Sequence, residues 1–278
     1  MRSLIGAAVA ATTAAALAGC ALFPDRVDEN REARRIVEAY RVDAMLAQSA
    51  PIITDAVMAN LPAGPGEDER ERLRAAIHAA YDAERLEAAV AERLAEWARV
   101  QDRADALRHA AERLESELAR DMIAREDAAA DDQFAQGFQT FLQQPANDAS
   151  DQAVRRMRGL ADDLRLVELQ TAFNLGMMQG MIAARNTVVS DDYSISPTNE
   201  RMMLEETRAG LDMRLSQQIP VMLLYAYRDV DQARRAAYAE LQHDEALRWV
   251  NRALAEALET ALADAAERVA HLYQPPGA

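Results

Sequence analysis

The chain contains no lysine: all 31 of its basic residues are arginine. That excludes lysine Schiff bases, a phosphate-loop lysine and a lysine general base. A single cysteine, Cys20, excludes an intrachain disulfide and any site built from several thiolates. Aromatic residues make up only 5%, and glycine and proline number 10 and 9 in 278 residues. Positive charge is also short. Against the 31 arginines stand 46 acidic residues, a formal charge of −15, which opposes binding to nucleic acid. What is abundant is alanine, leucine, glutamate and arginine, all strong helix formers. No period-2 strand of useful length occurs, so the composition predicts an all-α fold.

Long hydrophobic runs are missing too. The uncharged stretch Leu4–Leu17 covers fourteen residues, below the ~20 a membrane-spanning helix needs. Preceded by Met1-Arg2-Ser3, it fits the apolar region of a secretory signal. It ends in Leu17-Ala18-Gly19-Cys20, which resembles the bacterial lipobox. The resemblance implies that Cys20 is acylated on its thiol and, after cleavage of residues 1–19, on its new amino group. Leu17, Ala18 and Gly19 match the positions read by the peptidase. The alternative is an ordinary signal peptidase cut nearby, for instance after Ala18. Ala21 follows the cysteine where an aspartate would retain a lipoprotein at the inner membrane. In lipoprotein families this implies the inner leaflet of the outer membrane, facing the periplasm. Cleavage leaves 259 residues at a formal charge of −16.

Residues 20–27 read as a lipidated tether, 28–143 and 149–273 as two helical arms, and 274–278 as a tail. Roughly nine or ten helices are expected in a multi-helix bundle, and the two arms can share one core or form two. Asp28 begins the first helix, and Pro51 opens another. Leu61 to Gly66 is a break, as is Pro145 to Asp148. Asp82 is a candidate cap before Leu86, Val90, Leu94 and Trp97. Leu107, Ala111, Leu114, Leu118 and Met122 keep a heptad-like rhythm, and Phe134, Phe138, Phe141 and Leu142 form an aromatic stripe. One long helix is expected from Ser150 or Asp151 to Val188. Thr198 is the expected next cap, and Pro220 is expected to end or kink the helix carrying Leu204, Leu211, Leu215 and Ile219. After the apolar Val221–Tyr227 stretch, Asp229 or Asp231 caps the C-terminal pair.

The layout of residues 33–273 resembles an uncharacterised group of bacterial envelope proteins with a helical domain of unknown function. The initial pair runs from Arg35-Ile36-Val37-Glu38-Ala39-Tyr40 to Met58-Ala59-Asn60-Leu61-Pro62. Tyr238, Leu241, Asp244 and Arg248-Trp249 fall near the family's aromatic, serine and basic-aromatic positions. Ser116, Leu118 and Arg120 echo these in the first half. Glu245 and Leu247 depart from the family's proline and glycine, and the resemblance implies no activity.

Candidate chemistry is sparse. Glu240-Leu241-Gln242-His243 puts a carboxylate and an imidazole on one helix face, as di-iron bundles do, but those need a second copy that is absent here. Met177, Met178 and Met181, with Met222 downstream, are read as core packing, or else as the lining of a pocket for a hydrophobic ligand facing Val221–Tyr227. Gly176-x-x-x-Gly180 predicts a helix crossed closely by a neighbour. Its charges and amides (Arg165, Glu168, Asn174, Gln179) disfavour a membrane span. No nucleophile, dinucleotide or zinc signature occurs. The expectation is a non-enzymatic protein without cofactor or metal. It would be held to the membrane by its lipid and would offer helical surfaces to an envelope partner. A hydrophobic-ligand module and a metalloenzyme at Glu240 and His243 are the alternatives.

Overall fold

The computed structural model describes residues 27–61, 66–128, 132–143 and 151–273. Leu17, Ala18, Gly19 and Cys20, the tether up to residue 26, the Pro145–Asp148 break and the tail lie outside them. Among the described residues there is no strand, and the chain is an all-α bundle. Its segments are α1 (Glu29–Ala39), α2 (Val42–Leu46), α3 (Ser49–Asn60), α4 (Glu67–Ala80), α5 (Ala83–Val100), α6 (Ala104–Leu114), α7 (Glu117–Asp127) and α8 (Asp132–Gln143). They continue with α9 (Asp151–Asp163), α10 (Leu166–Val188), α11 (Pro197–Ala226), α12 (Gln232–Gln242) and α13 (Glu245–Leu272).

Most starts follow local chemistry. Asp28, Asp82 and Asp231 each accept a hydrogen bond from the backbone N–H three residues on, satisfying one of the donors a helix start leaves open. Ser116 and Asp244 do the same for α7 and α13. The cap of α11 is Ser196, with Pro197 in the first turn, and not Thr198. The segments outnumber the sequence expectation because the chain turns at three non-glycine residues with positive φ: Arg41 (52°), Asp102 (54°) and Arg165 (52°). The helix expected from residue 151 to 188 is consequently two helices, α9 and α10, meeting at Leu164-Arg165. Pro220 does not end α11, which runs on to Ala226. The ring leaves the Ser216 carbonyl without its usual donor, but Pro220 and Ile219 are buried, and packing holds the helix together there.

The centre is the pair α10 and α13. Helix α13 also packs on α4, α5 and α6, while α10 also packs on α3, α4 and α11. Buried residues from both sides of residues 144–150 therefore belong to one core. The α13 face is built from Ala253, Leu254, Ala257, Leu258, Ala261, Leu262 and Ala265, all buried. Its alanines let neighbouring backbones approach. Gly176 takes this furthest: a Cβ there would lie 2.5 Å from Leu262 Cβ. At Gly180 a Cβ would lie 2.4 Å from the Tyr81 hydroxyl and 2.7 Å from Ile53 Cδ1. The Gly-x-x-x-Gly pair thus seats α13 on one turn of α10 and α3–α4 on the next. The Tyr81 hydroxyl donates toward the Gly176 carbonyl at 3.2 Å and lies 3.4 Å from that of Leu262, linking the two central helices.

Candidate functional site

Among the described residues a polar constellation with two fully buried members surrounds Glu126, in the last turn of α7. Its Oε1 accepts a hydrogen bond from the Tyr238 hydroxyl at 3.0 Å and another from the Tyr227 hydroxyl. Tyr227 follows the last residue of α11 and Tyr238 lies on α12; both are fully buried. Their rings meet edge to face, 6.3 Å between centroids. Tyr40, after the last turn of α1, donates to Asn251 Oδ1 of α13 at 2.5 Å. Asn251 Nδ2 in turn donates to the Asp163 carbonyl at 2.9 Å. One polar seam thus gathers α1, α7, α9, α11, α12 and α13.

No cation pairs with Glu126 among the described residues. Burial raises its carboxyl from the ordinary 4.5 to about 7, against the pull of the two phenols, which lowers it. Burial also pushes the Tyr40, Tyr227 and Tyr238 phenols above their usual range, with the Glu126 charge adding to the rise. The group able to exchange a proton near neutral pH is therefore the carboxyl and not the phenols. Beside the seam, a 580 Å³ groove runs between α7 and the start of α12. Arg120, Asp121, Arg125, Asp229, Asp231 and Arg234 line it, with both signs of charge interleaved.

The residues singled out from sequence are placed elsewhere. Glu240 is exposed, and its helix neighbour His243 turns away to Asp163, Nδ1 to Oδ2 2.6 Å. Arg248 approaches the other Asp163 oxygen at 3.6 Å. Among the described residues no group of three or more His, Cys, Asp or Glu side chains could hold a metal ion. Met177 is buried, Met181 and Met222 are partly buried against the core, and Met178 is partly exposed. Asn186 pairs with Ile195 and Thr171 with Asp212, so α10 and α11 run antiparallel. Met177 lies about 9 Å along α10 on one side of the Thr171–Asp212 bond, and Met222 about 15 Å along α11 on the other. The structure therefore does not gather Met177 and Met222 around one pocket. A 370 Å³ cleft does open between α10 and α11, but its lining includes Leu175, Gln179, Glu200, Leu204 and Arg208. Burial raises the Glu200 carboxyl there above its ordinary value.

Sequence reasoning missed Glu126 because Arg125-Glu126-Asp127 reads as a solvated helix end. Its partners lie 101 and 112 residues away. The only signal was that Tyr227 closes the most apolar stretch of the chain.

No family model, no curated protein and no solved structure matches this chain. The lipobox and the envelope-family layout therefore stand on the residues quoted for them. No described helix is long and apolar enough to cross a membrane.

Proposed function

We propose that this chain is a lipid-anchored protein of the bacterial envelope whose helical body is an interaction module. The observation that carries the reading is Leu17-Ala18-Gly19-Cys20 at the end of a fourteen-residue uncharged stretch behind an arginine. Two acyl attachments on Cys20 supply the two signals that stable anchoring takes. With so acidic a body, lipid chains and not electrostatics provide the attachment. Ala21 favours the outer membrane's inner leaflet, facing the periplasm. An interaction role is supported by the outward side of α11. Met202 and Met213 are 61% and 68% exposed there. Eleven residues apart, about three turns, they fall on one ridge.

The test is Cys20→Ser. It should abolish incorporation of labelled fatty acid and move the protein from the membrane to the soluble fraction. Unchanged labelling and fractionation would refute the anchor. Crosslinking from Met213 in intact cells should then yield a discrete envelope partner, and its absence would remove the interaction role while leaving the anchor standing.

A further inference from the structure

A carboxyl group buried without a cation is costly to ionise, and the cost is relieved only by water or by a proton. Glu126 is half-buried as a residue, but its Oε1 lies against the hydroxyls of the fully buried Tyr227 and Tyr238, so that either remedy has a mechanical consequence. Helix α7 packs on α6, α11 and α12, and it does not belong to the tight α10–α13 centre. Its buried side chains are small in number: Ala119, Met122 and Ile123. Its last turn is tied to the body from inside through Glu126 Oε1, which receives both phenol hydrogen bonds, and at the surface through the Asp127–Arg41 ion pair. Swinging that turn outward would hydrate the carboxylate at the loss of those two bonds.

We propose that Glu126, Tyr227 and Tyr238 form a proton-controlled latch: protonated, Glu126 holds α7 against α11 and α12; ionised, it favours release of α7 into solvent. The proton is taken from and returned to water, and no other group needs to change state. The surroundings support a single switching residue. From α1 comes Tyr40, from α11 Tyr227 and from α12 Tyr238, whose phenols stay neutral well beyond neutral pH. From α13 comes the uncharged Asn251. On α7 itself, Arg125 is directed at Asp121 (3.5 Å) and Asp127 is paired with Arg41 (2.5 Å), so neither neutralises Glu126. Helix α6 adds no charge that acts on it. Helix α8 follows α7 in the chain and rests Phe134, Phe138 and Phe141 on the ring of Tyr225.

The sign follows from linkage. In the closed form the carboxyl titrates at about 7, against 4.5 when hydrated. Closed and open forms bind the proton equally below pH 4.5, and the closed form is disfavoured progressively as pH rises through 7. Between pH 5.5 and 8.5 the opening constant should therefore grow roughly 10- to 30-fold.

Hydrogen–deuterium exchange on the full chain in detergent tests this, with rates at both pH values divided by the intrinsic exchange rate. Residues of α7 should lose protection by that factor at pH 8.5, while α10 and α13 keep theirs. In Glu126→Gln, which keeps an Oε1 acceptor and cannot ionise, α7 protection should not change with pH. The proposal is overturned if wild-type α7 changes in step with α10 and α13. It is equally overturned if Glu126→Gln retains the wild-type pH difference. The wild-type comparison alone decides the matter should the variant fold poorly.

Discussion

Two glutamates, the fully buried Glu32 and the half-buried Glu126 whose carboxyl meets two buried phenols, show opposite solutions to the same problem. Glu32 on α1 is fully buried and is clasped by two arginines. Arg31 donates to Oε1 through Nε (3.0 Å) and Nη2 (2.8 Å), and Arg35 donates to Oε2. Arg35 also holds Glu115, which follows α6, with two parallel bonds, 2.7 and 2.6 Å, and keeps that carboxyl below its ordinary value. Here charge is balanced, and the α1–α6 junction is fixed by ion pairs. Glu126 has phenols in place of guanidinium groups. Neutral donors satisfy its oxygen but leave its charge uncompensated, so it moves toward the protonated form. The first arrangement fastens two helices at any ordinary pH, and the second makes fastening conditional.

That contrast can be broken in order of expected effect. Glu32→Ala should destabilise most, by about 2–3 kcal/mol in urea denaturation, because it leaves Arg35 half-paired inside and opens a void. The exposed Arg31 can turn to water, which keeps the loss from being larger. An effect under roughly 0.5 kcal/mol would mean the clasp contributes nothing. Tyr238→Phe removes one donor to Glu126 and should cost about 1 kcal/mol. It should also move the Glu126 titration, followed by carboxyl NMR, further up. A downward shift would show that the phenol does not act on the carboxyl. Glu126→Gln sharpens the comparison most finely. At pH 4, where the carboxyl is protonated in both the folded and the unfolded chain, its stability should differ from wild type by less than about 0.5 kcal/mol. Raising the pH to 8.5 should make the variant the more stable protein.

How much of this could be read along the chain varies with the range of the cause. The helical class was legible because alanine, leucine, glutamate and arginine act locally. Asp28, Asp82 and Asp231 were legible as caps for the same reason: a side chain and an N–H three residues away suffice. The breaks at Arg41, Asp102 and Arg165 were not. A positive φ at arginine goes against the residue's preference, and only the packing of the joined helices imposes it. At Pro220 the expectation of a helix end or kink met a helix that runs on to Ala226, with Ile219 and Pro220 buried. The Gly-x-x-x-Gly pair announced a close crossing, but not that Leu262 would fill one notch and Tyr81 with Ile53 the other. The methionines read first as core packing, and Met177, Met181 and Met222 do lie in or against the core; the alternative of a shared pocket is not made by the antiparallel register of α10 and α11.

The sequence by itself determined an all-α body, its main helix starts and an amino-terminal signature whose chemistry is carried by four consecutive residues. These are properties of neighbours along the chain. The tertiary structure alone decided that the two halves share one core around α10 and α13. It also decided that Glu126 would meet two tyrosines, whereas the arginines around Glu32, Arg31 and Arg35, are its neighbours along the chain. The setting of Glu126 depends on groups more than 100 residues away in sequence, Tyr227 and Tyr238, and no local pattern encodes such a meeting.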